Sequence, residues 1–260
     1  MFLQQERRRP VYQLLVAWFV MTVLVFCLPL GLPRIANSRI ATTAVVEAIT
    51  LLAIGLVNRY WVHVSLNFRS PFTFGQQLLM TWPAELLLAF FVFAAILKFP
   101  QGIGAEKVAV RVVLGLLVAG LEETVFRGIL LGGLLQRLQL RLTRRLWIAV
   151  LGSSLLFGLS HVMNLTHQSL PMTLMQIVQA FGLGLVLSAL YLRTGSLLWA
   201  MLFHFGLDTT VMLVALTPHE TNTGVSLSDV MPFVVYLIIT AILLRPSRWQ
   251  RIDFRRLGVH

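Results

Sequence analysis

Long, nearly uncharged apolar stretches recur along the whole chain, and they leave it few ways to fold. The hydrocarbon core of a bilayer is about 30 Å thick, so a helix that crosses it needs about 20 mostly apolar residues. Stretches of about that length are read at Val11–Leu30, Ile40–Val57, Leu78–Leu97, Val108–Leu131, Trp147–Met163, Leu174–Leu192, Leu197–Leu216 and Val230–Leu244. A soluble domain is about 25% charged, whereas this chain is 12% charged and 57% hydrophobic, a poor fit to any water-soluble fold. With no water in the bilayer core, each spanning segment must satisfy its own backbone groups, and apolar runs of this length do so as helices. The expected architecture is all-α: a polytopic transmembrane helix bundle of about eight spans, forming a single transmembrane domain over residues 1–260.

The charges orient that bundle. Of the 21 basic residues only Lys98 and Lys107 are lysine, and the net charge is +11. They are scattered between apolar segments and not gathered on one polar domain, which argues against a nucleic-acid partner. Lys and Arg near helix ends concentrate on the cytoplasmic side. With the N-terminus inside, fifteen cations fall in inside loops: Arg7, Arg8, Arg9, Arg59, Arg69, Arg137, Arg141, Arg144, Arg145, Arg193 and five from Arg245 to Arg256. Five fall outside, Arg34, Arg39, Lys98, Lys107 and Arg111, and Arg127 lies within a span. The imbalance predicts eight spans with N- and C-termini cytoplasmic.

The opening "QQERRRP" and the apolar run after it resemble a signal peptide, but the run is longer than a usual signal core and no small-x-small cleavage site follows, so it reads as a retained first helix. Cys27 is the single cysteine, so no internal disulfide is possible. Arginine-rich, lysine-poor usage points to a bacterial inner membrane. Tyr60–Gly75 mixes aromatics with Arg and His, as a segment lying in the interface or a plain surface loop would.

Ionisable side chains within spans are costly and usually face the bundle interior or an aqueous cavity. Here they are Glu47, Glu85, Glu122, Glu123, Arg127, His161, His204 and Asp208. Glu47 and Glu85 stand alone, which favours a structural or pore-lining role. Glu122 and Glu123 are adjacent, so on an α-helix they point about 100° apart. Glu123 precedes Arg127 by four residues, the favourable order for an ion pair along one face, and this leaves Glu122 turned toward the bundle. Phe157 and His161, and likewise His204 and Asp208, are four apart and share a face. Gly128 and Gly132 form a small-xxx-small pair suited to close helix packing.

"EETVFR", "FGLSH" and "HFGLD" occur in this order on successive apolar segments. Together they resemble the motifs of the CPBP family, which contains the type II CAAX prenyl proteases and the Abi bacteriocin-processing or self-immunity proteins. The resemblance covers about residues 108–212 as a motif-bearing core. It implies an intramembrane glutamic endopeptidase that needs no metal or other cofactor and cleaves a membrane-associated peptide or protein, which is lipid-modified in the CAAX case. Carried over, Glu122 and His161 activate a water, His204 and Asp208 serve the oxyanion, Glu123 and Arg127 form a supporting ion pair, and Phe157 is a motif residue. An ionised Asp208 cannot donate to an oxyanion, so it is either protonated or orients His204 from behind. Two other readings use the same residues: a zinc peptidase with Glu122, His161, His204 and Asp208 as ligands, and a non-catalytic immunity or partner-binding protein. A transporter fits less well, since inverted repeats are not evident.

Overall fold

The computed structural model describes residues 9–35, 38–99, 103–216 and 227–259. Of the loop His219–Asp229, which the eight-span reading places outside, residues 219–226 lie outside these residues, as do Arg7 and Arg8 of the inside cations. The described elements are helical: α1 (Tyr12–Gly31), α2 (Arg39–Val57), α3 (Phe74–Lys98), α4 (Ala105–Glu123), α5 (Gly133–Arg137), α6 (Leu142–Ser160), α7 (Leu170–Thr194), α8 (Leu197–Val214), α9 (Leu227–Leu243) and the short α10 (Pro246–Trp249). Between α4 and α5 the helix does not stop. It widens into a π-helix over Thr124–Gly132, so Ala105 to Arg137 is one rod.

Local chemistry sets the helix ends. Ser38 accepts from the Ala41 amide and Ser196 from the Trp199 amide, each satisfying a donor that the first turn leaves free. Thr73 and Gln76 form a reciprocal capping box at the start of α3. Gly195, at φ +64°, turns the chain out of α7 in the left-handed region where a side chain would be strained.

α7 packs against α6, α8 and α9, while α4 packs between α2 and α8; α1 lies on α2, and α3 on α8. Small residues bring α6 and α7 close together. A Cβ on Gly158 would sit 2.8 Å from the Ile177 carbonyl oxygen, and one on Gly184 would sit 3.0 Å from Ser154 Cα. Gly128 and Gly132 admit more than the helix packing expected of them. A Cβ on Gly128 would meet Leu66 at 2.6 Å and Leu197 of α8 at 3.4 Å, and one on Gly132 would meet Val64 at 3.7 Å and Tyr191 of α7 at 4.0 Å. Val64 and Leu66 lie in an extended strap that follows α2.

That strap belongs to the segment Tyr60–Gly75, expected as an interfacial segment or a surface loop, and it is tied into the bundle. Asn58 pairs with Val64 through both its amide atoms, the Leu197 amide donates to the Asn67 carbonyl, and Ser196 donates to the Phe68 carbonyl. Val62 and Val64 are buried.

Outward-facing side chains are apolar: Leu79, Phe90 and Leu97 on α3 are each at least 65% exposed. In water such a surface would be an aggregation patch, and in a bilayer it is solvated by lipid. Six helices are long and apolar enough to cross: Tyr12–Gly31, Arg39–Val62, Phe74–Lys98, Leu142–Thr166, Leu170–Thr194 and Leu197–Val214. The chain is an integral, multi-pass membrane protein. Two of the eight expected spans differ from these six. The fourth coincides with α4, which carries Glu106, Lys107, Arg111, Glu122 and Glu123, and the eighth with α9, which has only 17 residues.

Candidate active site

Glu122 and Glu123 end α4 just where the rod widens, and both reach His204 of α8. Glu123 Oε1 accepts from His204 Nδ1 at 2.9 Å and from Arg127 Nη1 at 2.7 Å. On the other side of the imidazole, Nε2 lies 3.6 Å from Glu122 Oε2 and 3.4 Å from Asp208 Oδ2. One ring is thus bracketed by three carboxyl groups. The adjacent glutamates do diverge, but they diverge around a shared histidine.

This arrangement separates a closed half from an open half. Glu123 and Arg127 have no exposed surface, whereas the side chains of Glu122 and Asp208 keep 22% and 27% of theirs. Arg127 is also held by the Gly184 carbonyl at 3.2 Å and stacks over Phe157, with Cζ 4.5 Å from the ring centroid. Phe157 presents its ring edge-on to His161 at 5.4 Å, to His204 at 5.7 Å and to Phe126 at 5.0 Å. It is the apolar spacer that fixes both histidines and caps the ion pair.

His161 is where α6 tightens into a 3₁₀ turn over His161–Thr166. Its Nδ1 lies 3.0 Å from the Phe157 carbonyl. A carbonyl only accepts, so Nδ1 carries the proton and Nε2 is left as an acceptor. α6 runs unbroken from Leu142, which leaves His161 at the end of the helix remote from Arg144 and Arg145, as the rise of 1.5 Å per residue requires.

A cavity of about 510 Å³ opens beside these groups. Glu122 and His161 line it together with Glu47, Ser160, Asn164 and Gln176, and its opposite wall is the second half of α1, from Met21 to Pro29. Glu47, the isolated carboxyl expected to be structural or pore-lining, faces the same cavity as Glu122. Glu85 accepts hydrogen bonds from Thr81 and Trp199 and acts as interhelical glue. Two further links, Trp18 Nε1 donating to Ser160 Oγ at 2.8 Å and Asn164 donating to Gln176 at 2.8 Å, left no mark in the sequence pattern.

Asp208 meets the same nitrogen that faces Glu122. The carboxylate that orients His204 from behind is Glu123. A zinc site would need Glu122, His161, His204 and Asp208 around one ion, and among the described residues no three His, Cys, Asp or Glu side chains are grouped to hold a metal.

Residues 104–210 match the family model described as "Type II CAAX prenyl endopeptidase Rce1-like". The chain carries an Rce1-like domain of the CPBP/Abi family. No curated protein and no solved structure matches the chain. The Rce1-like domain takes in Glu122, Glu123, Arg127, Phe157, His161, His204 and Asp208, while α1 and α2, which supply the facing wall of the cavity and Glu47, lie outside it. The family matched over these residues is one of CAAX-type intramembrane proteases, hydrolases that act on protein or peptide substrates.

Proposed function

We propose that the protein is an intramembrane endopeptidase that hydrolyses a peptide bond of a membrane-associated or lipid-modified protein or peptide. The observation that carries this reading is the bracketed His204: its Nδ1 is held by the buried Glu123 while its Nε2 faces the open side, next to Glu122 and the cavity. Glu122 and the acceptor Nε2 of His161 share that cavity and are suited to polarise one water. Glu122 takes a proton from the water as its oxygen bonds to the scissile carbonyl carbon. The carbonyl oxygen gains the negative charge and is met by the Nε2 proton of His204. On collapse the C–N bond breaks, and Glu122 returns its proton to the leaving nitrogen.

Asp208 Oδ2 lies 3.4 Å from the same Nε2 and helps aim it toward that oxygen. Arg127 and Glu123 take no part in proton transfer; they fix the ring. Residues 108–212 are the catalytic core within a single transmembrane domain. In the proposed arrangement the rods of α4 and α9 also cross, giving eight spans with both termini cytoplasmic in a bacterial inner membrane.

The test is Glu122→Gln, assayed on a membrane peptide substrate in the presence and absence of a chelator. Loss of the carboxylate base lowers turnover by about 10²–10⁴, with wild-type activity unmoved by chelation. Wild-type turnover in Glu122→Gln removes the mechanism.

A further inference from the structure

At the opposite end of the bundle from the cavity wall at Pro29, arginines from two parts of the chain converge. Arg193 is the penultimate residue of α7, and Arg245, Arg248 and Arg251 follow α9. The four line a pocket of about 290 Å³ together with Ser247, and Leu79 and Met80 of α3 close its apolar side. No Asp or Glu lines it, and among the described residues none of the four arginines is in an ion pair.

Arg193 is the most telling member. It is more than nine-tenths buried and donates from Nη1 to the Arg248 carbonyl at 2.7 Å, while its buried Nε has no hydrogen-bond partner among the described residues. A buried donor without an acceptor is costly, and so are like charges gathered without a counterion. Both costs are removed by one anion with several acceptor oxygens. Guanidinium groups match phosphate oxygens two at a time. The volume is that of about ten water-sized groups, enough for a phosphate and part of what it is attached to. The pocket also lies where α7, a helix long and apolar enough to cross a bilayer, and α9 end, and basic pockets between the ends of transmembrane helices bind anionic headgroups.

We propose that this arginine pocket is a binding site for a phosphate group, carried on an anionic phospholipid or free in solution. It is separate from the proposed active site and does not depend on the peptidase reading. The experiment uses the full chain in a neutral maltoside detergent, with melting temperature followed as short-chain phosphatidylglycerol, phosphatidylcholine or inorganic phosphate is added. Arg245→Gln/Arg251→Gln is the test variant, because neither side chain holds a hydrogen bond among the described residues. Arg141→Gln/Arg144→Gln removes the same charge elsewhere on the chain.

Phosphatidylglycerol should raise the melting temperature of wild type and of the control, and its apparent affinity should fall about thirtyfold in the test variant. A response to phosphatidylglycerol alone assigns the source as an anionic lipid, and an equal response to inorganic phosphate assigns it as soluble phosphate. Either outcome upholds the site. The proposal is overturned if no phosphate-bearing probe shifts wild type, if phosphatidylcholine does as well as phosphatidylglycerol without inorganic phosphate acting, or if the two double variants lose the response equally.

Discussion

Replacing either member of the Glu123–Arg127 pair should cost folding, whereas replacing Glu122 should cost only turnover. Arg127→Gln leaves Glu123 as a carboxylate with no exposed surface, without its 2.7 Å partner, and removes the guanidinium that spans Gly184 and the Phe157 ring. Breaking a buried pair from one side costs roughly 3–5 kcal/mol. For a chain of this size each kcal/mol lowers the melting temperature by about 2–4 °C, so the loss is roughly 6–20 °C. Glu123→Gln strands Arg127 by a similar amount and also weakens the acceptor on His204 Nδ1.

The reversed pair, Glu123→Arg with Arg127→Glu, restores opposite charges but does not restore the site. It sets a guanidinium against His204 and a carboxylate against the Gly184 carbonyl, so little recovery is expected. Glu122→Gln keeps the size of a partly exposed side chain that makes no close ion pair, and its melting temperature should stay within about 2 °C of wild type. The assay is monodisperse yield and melting temperature in detergent beside peptidase rate for each variant. If Glu123→Gln melts like wild type while Glu122→Gln collapses, the two glutamates have exchanged roles and the reasoning fails.

Asp208→Asn should retain activity within about tenfold, because an amide can donate where the carboxyl lies 3.4 Å from His204 Nε2; a loss as large as that of Glu122→Gln would make the charge of Asp208 essential. Gly158→Ala should destabilise by about 1–3 kcal/mol, because its Cβ meets the Ile177 carbonyl and the backbone cannot turn aside. Gly152→Ala, whose Cβ finds only Leu134 at 3.8 Å, is the matched control and should melt like wild type in the same thermal scan. Reporters fused after Arg145 and at the C-terminus should read as cytoplasmic, and one inserted in the loop His219–Asp229 as external; an external C-terminus would rule out the eight-span arrangement.

The helices and the polar positions were legible because both rest on local chemistry. Apolar runs mark segments that must satisfy their own backbone groups, and Glu122, His161, His204 and Asp208 are conspicuous because ionisable groups are rare in such runs. Spacing of four also relates His204 to Asp208 and Glu123 to Arg127. What spacing cannot give is which face meets which across helices. That Glu123 holds Nδ1 of His204 is decided by how α4 packs on α8, 81 residues apart in sequence. That Glu47 shares a cavity with Glu122 follows the same rule, since the cavity exists only once α2 is laid against α4. Gly128 and Gly132 fit a helix-packing motif, yet besides Leu197 of α8 and Tyr191 of α7 they admit an extended strap, because smallness permits close approach without naming what approaches.

The π-helix between Glu123 and Gly133 acts as a phase shifter. An α-helix turns about 100° per residue, and the wider π winding turns less, so nine residues of it rotate the far part of the rod relative to the near part. Above it, the rod points Glu122 at the cavity; below it, Gln136 donates to the Leu257 carbonyl and Arg137 donates to the carbonyls of Pro10 and Val62. Deleting one residue within Thr124–Gly132 could leave every hydrophobic position helical and still turn these two sets of contacts out of step. The angular setting of the rod, and not its composition alone, is therefore what lets a single helix serve the cavity at one level and anchor the chain at another.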